Sequence, residues 1–142
     1  VLKPNGIFYA DLNPNKAFND MLYGVSEGYA SDQLSDMINR EIKGGLHDGQ
    51  YYSENFGLDE LLLTQAEPIK SFDRGFCAKE ITEVATKIGF SKILIEPQWY
   101  LGQGKFSKYK NFDDAQIVEK YLRDCLPATI SLFKYLRFVF VK

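Results

Sequence analysis

With 142 residues, 45% hydrophobic and 25% charged, the chain has the size and composition of a single globular domain. A net charge of -2 and a pI near 5.4 argue against general nucleic-acid affinity, because phosphate binding needs a basic surplus. No run approaches the roughly 18 consecutive apolar residues of a membrane-spanning helix, so no membrane partner is expected.

The first phrase, Val1-Leu2-Lys3-Pro4-Asn5-Gly6, reads as a turn that delivers the chain into the apolar run Ile7–Leu12. That run lacks clean polar alternation and predicts a strand covered on both faces, as in a parallel sheet. Opening on Val in the middle of such a phrase predicts a truncated chain or a fragment, and no signal peptide precedes the strand. Asn13 and Pro14 predict a helix cap and first helical residue, followed by Ala17, Phe18, Met21, Leu22 and Val25 at helical spacing. Ser31 predicts the cap of a second helix carrying Leu34, Met37, Ile38 and Ile42, stopped at Gly44-Gly45. Asp48-Gly49 marks a turn, and Asp59–Ala66 is either a short helix or, through Leu61-Leu62-Leu63, a strand. Residues 14–76 together read as a helical, aromatic-rich insertion resembling a lid.

Beyond Phe76 the signals sharpen. Cys77 and Glu80 have capping-box spacing, Ile81, Val84, Ala85 and Ile88 form an apolar helical face, and Gly89 ends the helix. Lys92–Glu96 predicts a short strand closed by Pro97. Asp113 predicts the cap of a helix with Ala115, Val118, Leu122 and Cys125 inward. Tyr135–Val141 is strongly strand-forming by its aromatic and β-branched content. Cys77 and Cys125 are too few for a disulfide framework and predict reduced thiols in a cytoplasmic protein. The alternation of strands and helices predicts an α/β layer architecture.

Three phrases carry a family resemblance. VLKPNGIFYADLN is similar to the turn and fifth strand of class I S-adenosylmethionine-dependent methyltransferases. FCAKEITEVATKIGFSKILIE resembles the helix and sixth strand that follow, and KYLRFVFVK resembles the seventh strand. The resemblance covers the C-terminal half of that Rossmann-like fold only. It implies a sheet of order 5-7-6 with strand seven antiparallel, and leaves strand five without its other neighbour. A homodimer through that exposed edge is one consequence. It also implies methyl transfer from S-adenosylmethionine to a small-molecule acceptor, this part supplying the substrate lid and distal sheet. The family binds its cofactor through a Gly-rich loop after strand one and an acidic residue after strand two, and no segment here matches either.

Several residues stand out as candidates. Asp11 and Asn13 belong at the carboxyl end of a central strand, where open α/β sheets bind ligands; Asp11 either orients a substrate amine or hydroxyl or satisfies nearby backbone donors. Tyr23, Tyr29, Tyr51, Tyr52 and Trp99 are either an aromatic pocket wall or core. Arg74 pairs with an acidic substrate group or with Asp73 and its neighbours. The substrate-side set is therefore Asp11, Tyr23, Tyr29 and Arg74. His47, the sole histidine, reads as a solvated loop residue, and two Cys with one His make no metal site. Gly102-Gln103-Gly104 lacks a following helix and reads as a flexible loop, as do Lys105, Lys108 and Lys110. A non-catalytic module that pairs through its exposed strand is the alternative to the enzyme.

Overall fold

The computed structural model describes residues 2–26, 32–45, 49–59, 61–62 and 75–142. Strand β1 (Ile7–Pro14) leads to helices α1 (Lys16–Ser26), α2 (Asp32–Gly45) and α3 (Gly49–Phe56). Helix α4 (Ala78–Ile88) precedes β2 (Lys92–Tyr100), and α5 (Gln103–Lys108) and α6 (Phe112–Asp124) follow it. A 3-10 turn, Ile130–Leu132, then leads to β3 (Phe133–Val141). The class is α/β. β3 lies between β1 and β2 and antiparallel to both, so β1 and β2 run parallel to each other. This is the strand order and polarity expected of the three sheet-forming phrases.

Side-chain alternation divides the sheet into two faces. On one, Leu136, Phe138 and Phe140 are buried with Ala85 of α4, and Phe76, Ile81, Phe90, Ile93 and Ile95 pack around them. Phe138 and Phe140 stack at 5.7 Å, while Phe76 meets Phe138 edge-on at 5.6 Å. Gly89, at φ 86°, closes α4 in the left-handed region, and the Phe90 N–H donates to the Ala85 carbonyl at 3.1 Å. On the opposite face, helices cover only the end at the carboxyl termini of β1 and β2. There Phe133 is fully buried, and the Tyr100 hydroxyl donates to the Ala115 carbonyl of α6 at 3.2 Å. A second core, Phe18, Leu22 and Ile38 with Met21, Leu34 and Leu101, joins α1 to α2 beside it. At the other end of that face Ile7, Tyr9 and Leu94 are 62%, 57% and 49% exposed, which leaves that part of the sheet open among the described residues.

Several elements differ from the sequence reading. β1 runs on through Asn13 and Pro14, and the cap of α1 is Asn15, whose Oδ1 accepts from the Ala17 N–H at 3.1 Å. The reason lies in a bulge: the register to β3 slips by one residue between Ala10 and Asn13, with Leu12 at φ 53°. β2 is not closed by Pro97 but continues to Tyr100, since its other edge is unpaired among the described residues and an edge strand tolerates the missing N–H. Asn111, not Asp113, caps α6, accepting from the Asp114 N–H. Gly102 is the turn from β2 into α5, and Gln103 and Gly104 open that helix rather than a loop, with Lys105 and Lys108 helical behind them. Val84 and Ile88 are more than half exposed, so only Ile81 and Ala85 of the expected face of α4 meet the sheet. α3 begins at Gly49, where a turn was expected. Leu61 and Leu62 are helical, with the Asp59 carboxylate accepting from both backbone N–H groups. Ser31, Asp48 and 63–74 lie outside the described residues.

Asn15 is the one buried polar residue of the described core, at 1% exposure. Its Nδ2 donates to the carbonyls of Ile130 at 2.9 Å and Phe133 at 2.7 Å. The Ile130 carbonyl also accepts from the Phe133 N–H, so Asn15→Ala removes the side-chain partner of the buried Phe133 carbonyl and of the Ala17 N–H, and is expected to cost about 2–3 kcal/mol in chemical denaturation. A loss under about 0.5 kcal/mol would show that water replaces the amide.

Candidate functional site

Because β1 and β2 are parallel, their carboxyl ends open on the same side, where open α/β sheets form crevices. A cavity of about 590 Å3 lies there. Its walls are the first turn of α1 (Lys16, Ala17, Asp20), the first turn of α4 with Cys77, the β2 residues Ile95 and Pro97, and the Leu126–Ile130 segment. Asn15 fixes this wall, since it ties β1 to the 3-10 turn and to the start of β3 while capping α1. Cys77 occupies the N-cap of α4 without a side-chain hydrogen bond. Both Cys77 and Cys125 are free thiols.

Asp11 sits in the bulge of β1, on the open sheet face, and belongs to a polar row across all three strands. Its Oδ2 accepts from the Tyr9 hydroxyl at 2.8 Å and from Arg137 at 3.3 Å, and its Oδ1 accepts from the Leu12 N–H at 2.9 Å. Arg137 also faces Glu96 of β2 at 3.6 Å and lies 6.0 Å above the Tyr9 ring. With its amide nitrogen toward Asp11, Gln98 donates to Oδ1 at 2.5 Å and accepts from Arg137 at 2.5 and 3.1 Å. The hydrogen bond from Tyr9 and then those from Arg137 and Leu12 hold the Asp11 carboxyl below the usual carboxylate range, against a smaller opposing effect of desolvation. The same bond raises the Tyr9 phenol above its ordinary value. A carboxylate made more acidic is a weak proton acceptor at neutral pH, so this row holds charge and register rather than a general base.

Of the four substrate-side residues, Asp11 is engaged in this row and Tyr23 is half-buried on α1. Tyr29 and Arg74 lie outside the described residues, as does His47. Asn13 donates its side-chain amide to the Leu136 carbonyl at 3.0 Å, a structural bond within the sheet. Tyr51 and Tyr52 are on α3, and Trp99, half exposed at φ 55°, is at the end of β2. Sequence reasoning missed Arg137, Glu96 and Gln98. The available signal was Arg137 itself, a lone cation inside the aromatic strand Tyr135–Val141 that needs an acidic neighbour on each adjacent strand. Among the described residues no group of three or more His, Cys, Asp or Glu could hold a metal ion, and no helix is long and apolar enough to cross a membrane.

The lowered pKa of Asp11 fixes the sign of a pH effect. Its contribution is present above the unfolded carboxyl value, near 3.9, and is lost as pH falls through the lower folded value. Thermal melts of the parent and Asp11→Asn chains are therefore expected to differ most at neutral pH and to converge below about pH 4; parallel curves from pH 3 to 7 would show that the row has no linkage. Compared with models of known families, with curated proteins and with solved structures, the chain matches none.

Proposed function

We propose that this chain is the distal part of a class I S-adenosylmethionine-dependent methyltransferase that acts on a small-molecule acceptor, contributing the substrate-side lid and the last strands of the sheet. The observation that carries the reading is the strand order: two parallel strands joined through a helix, with the final strand of the chain inserted antiparallel between them. Three sequence phrases that resemble strands five, six and seven of that family fall, in order, on these three strands. The helices between β1 and α4 and the crevice at the carboxyl ends support a lid-and-substrate role. An apolar groove of about 380 Å3 between α4 and β1, formed by Phe8, Val84, Ile88 and Phe140 among others, supports a sheet and helix layer that continue past β1.

The described residues do not fit the cofactor. The one glycine-lined turn from strand to helix, Gly102–Gly104, is surrounded by Arg40, Lys105 and Lys108, and a cationic sulfonium is repelled there. In this reading the cofactor belongs to elements that precede strand five. Isothermal titration of the full-length polypeptide with S-adenosylmethionine is expected to show binding, and residues 1–142 alone to bind at least roughly a hundredfold more weakly, for want of most of the pocket. A full-length chain that does not bind the cofactor ends the reading.

A second reading, a partner module, is favoured by one observation. From Ile7 to Ala10 the outer edge of β1 has neither a charge nor a described partner, and only near Pro14 and Lys16 is it bridged, to Phe76. Sedimentation velocity separates the two: a reversible dimer lost on Tyr9→Pro supports pairing through this edge, and a monomer at all concentrations removes it.

A further inference from the structure

α2 faces the turn into α5 over a cavity of about 390 Å3, separate from the crevice at the strand ends. Three cations border it: Arg40 from α2, and Lys105 and Lys108, one turn apart on α5. None of the three forms an ion pair among the described residues, although Lys108 lies 5.9 Å from the Tyr109 ring. Two carboxylates border the same space. Glu41 is bound to Lys134 of β3 at 2.8 Å, which leaves Asp36 as the only one without a cation of its own there. The cavity thus carries a local excess of positive charge in a chain whose net charge is -2.

The wall between the cations is backbone. Gly102, at φ 84°, brings the main chain close to α2, and a side chain there would be strained as well as 3.4 Å from the Met37 sulfur. A side chain at Gly104 would meet nothing within 4 Å, so that side of the turn is open space. Three exposed cations bordering one cavity beside an unobstructed backbone suit a compact group of high negative charge with several acceptor oxygens. The volume exceeds what one such group fills, and the Met37 side chain gives an apolar surface for the body of a larger molecule.

We propose that this cleft between α2 and the Gly102–Gly104 turn is a binding site for the phosphoryl group of a small phosphate monoester, with Arg40, Lys105 and Lys108 as its cationic ligands. The site stands apart from the methyl-transfer reading: a chain that fails to bind S-adenosylmethionine can still hold a phosphate here, and the reverse.

The test is a titration of the isotopically labelled full-length chain with inorganic phosphate, glycerol 3-phosphate and succinate, followed by amide chemical shifts. Saturable shifts at Arg40, Gly102, Gly104 and Lys105 are expected with both phosphates, tighter for the monoester, and weaker with the dicarboxylate. Arg40→Gln combined with Lys105→Gln is expected to weaken phosphate binding roughly tenfold or more, while Lys87→Gln with Lys120→Gln leaves it unchanged. Shifts scattered over other lysines, equal affinity in the Arg40/Lys105 variant, or succinate binding as well as phosphate would overturn the proposal. The shift map of the unaltered chain decides the matter even if that variant does not fold.

Discussion

Most of the architecture depends on a single amide placed in a dry position. Asn15 stands where the sheet gives way to the helical cover, and its side chain has two donor positions and an acceptor to distribute. It uses them on the Ile130 and Phe133 carbonyls and on the Ala17 N–H. Segments separated by 115 and 118 residues are thereby locked to the start of α1. An aliphatic residue there would leave the buried Phe133 carbonyl without its side-chain partner, and an aspartate would lack the donors. The direction in which α1 leaves the sheet follows from this contact. So does the position of Phe18 and Leu22 against Ile38, and one wall of the crevice at the strand ends.

The two faces of the sheet solve different problems. One buries aromatic side chains of β3 under α4 and gains from area. The other carries Arg137 in the centre strand with an acid on each side, Asp11 and Glu96. Ion pairs this exposed stabilise little. Their effect is on register: a one-residue slip of either neighbour would turn its carboxylate to the apolar face and leave Arg137 without it. The bulge at Asp11–Leu12 belongs to the same arrangement, because the extra residue lets Asp11 turn back to accept from Tyr9 and its own neighbour's N–H.

The extent to which the sequence foretold this structure follows from which forces are local. Strands at Ile7–Leu12 and Tyr135–Val141, and the helix ending at Gly89, were legible because apolar period and a glycine cap act within a few residues. The cap at Asn15 was misassigned to Asn13 because the bulge depends on pairing with β3, more than a hundred residues away. Pro97 read as a stop since sequence alone does not reveal that its strand lies on an edge. The Asp11 row was half visible. Its acid stood out by position at a strand end, whereas Arg137 and Gln98 acquire meaning only when the third strand inserts between the first two. Lys105 and Lys108, expected in a solvated loop, are exposed but helical, because the turn at Gly102 starts a helix whose first bond runs from the Lys105 N–H to the Gly102 carbonyl.

The distribution of paired and unpaired cations gives the molecule its polarity. Arg123 pairs with Glu119, Lys120 with Asp124, Lys134 with Glu41, and Arg137 with Asp11 and Glu96. Acidic residues outnumber basic ones by 19 to 17, so a shortage of carboxylates is not what leaves Arg40, Lys105 and Lys108 without ion pairs among the described residues around one cavity. The tie from Glu41 to β3 is what matters here. Burial of Lys134 is the largest single influence and favours its neutral form, but the hydrogen bond it donates to Glu41, the Glu41 charge and the neighbouring Tyr135 together outweigh it and raise the ammonium above its ordinary value. Glu41 is engaged in that contact, so one of the two carboxylates bordering the cleft is bound to β3 instead of opposing the cations of α2 and α5. The same bond that ties α2 to β3 therefore also leaves the cleft its surplus of positive charge.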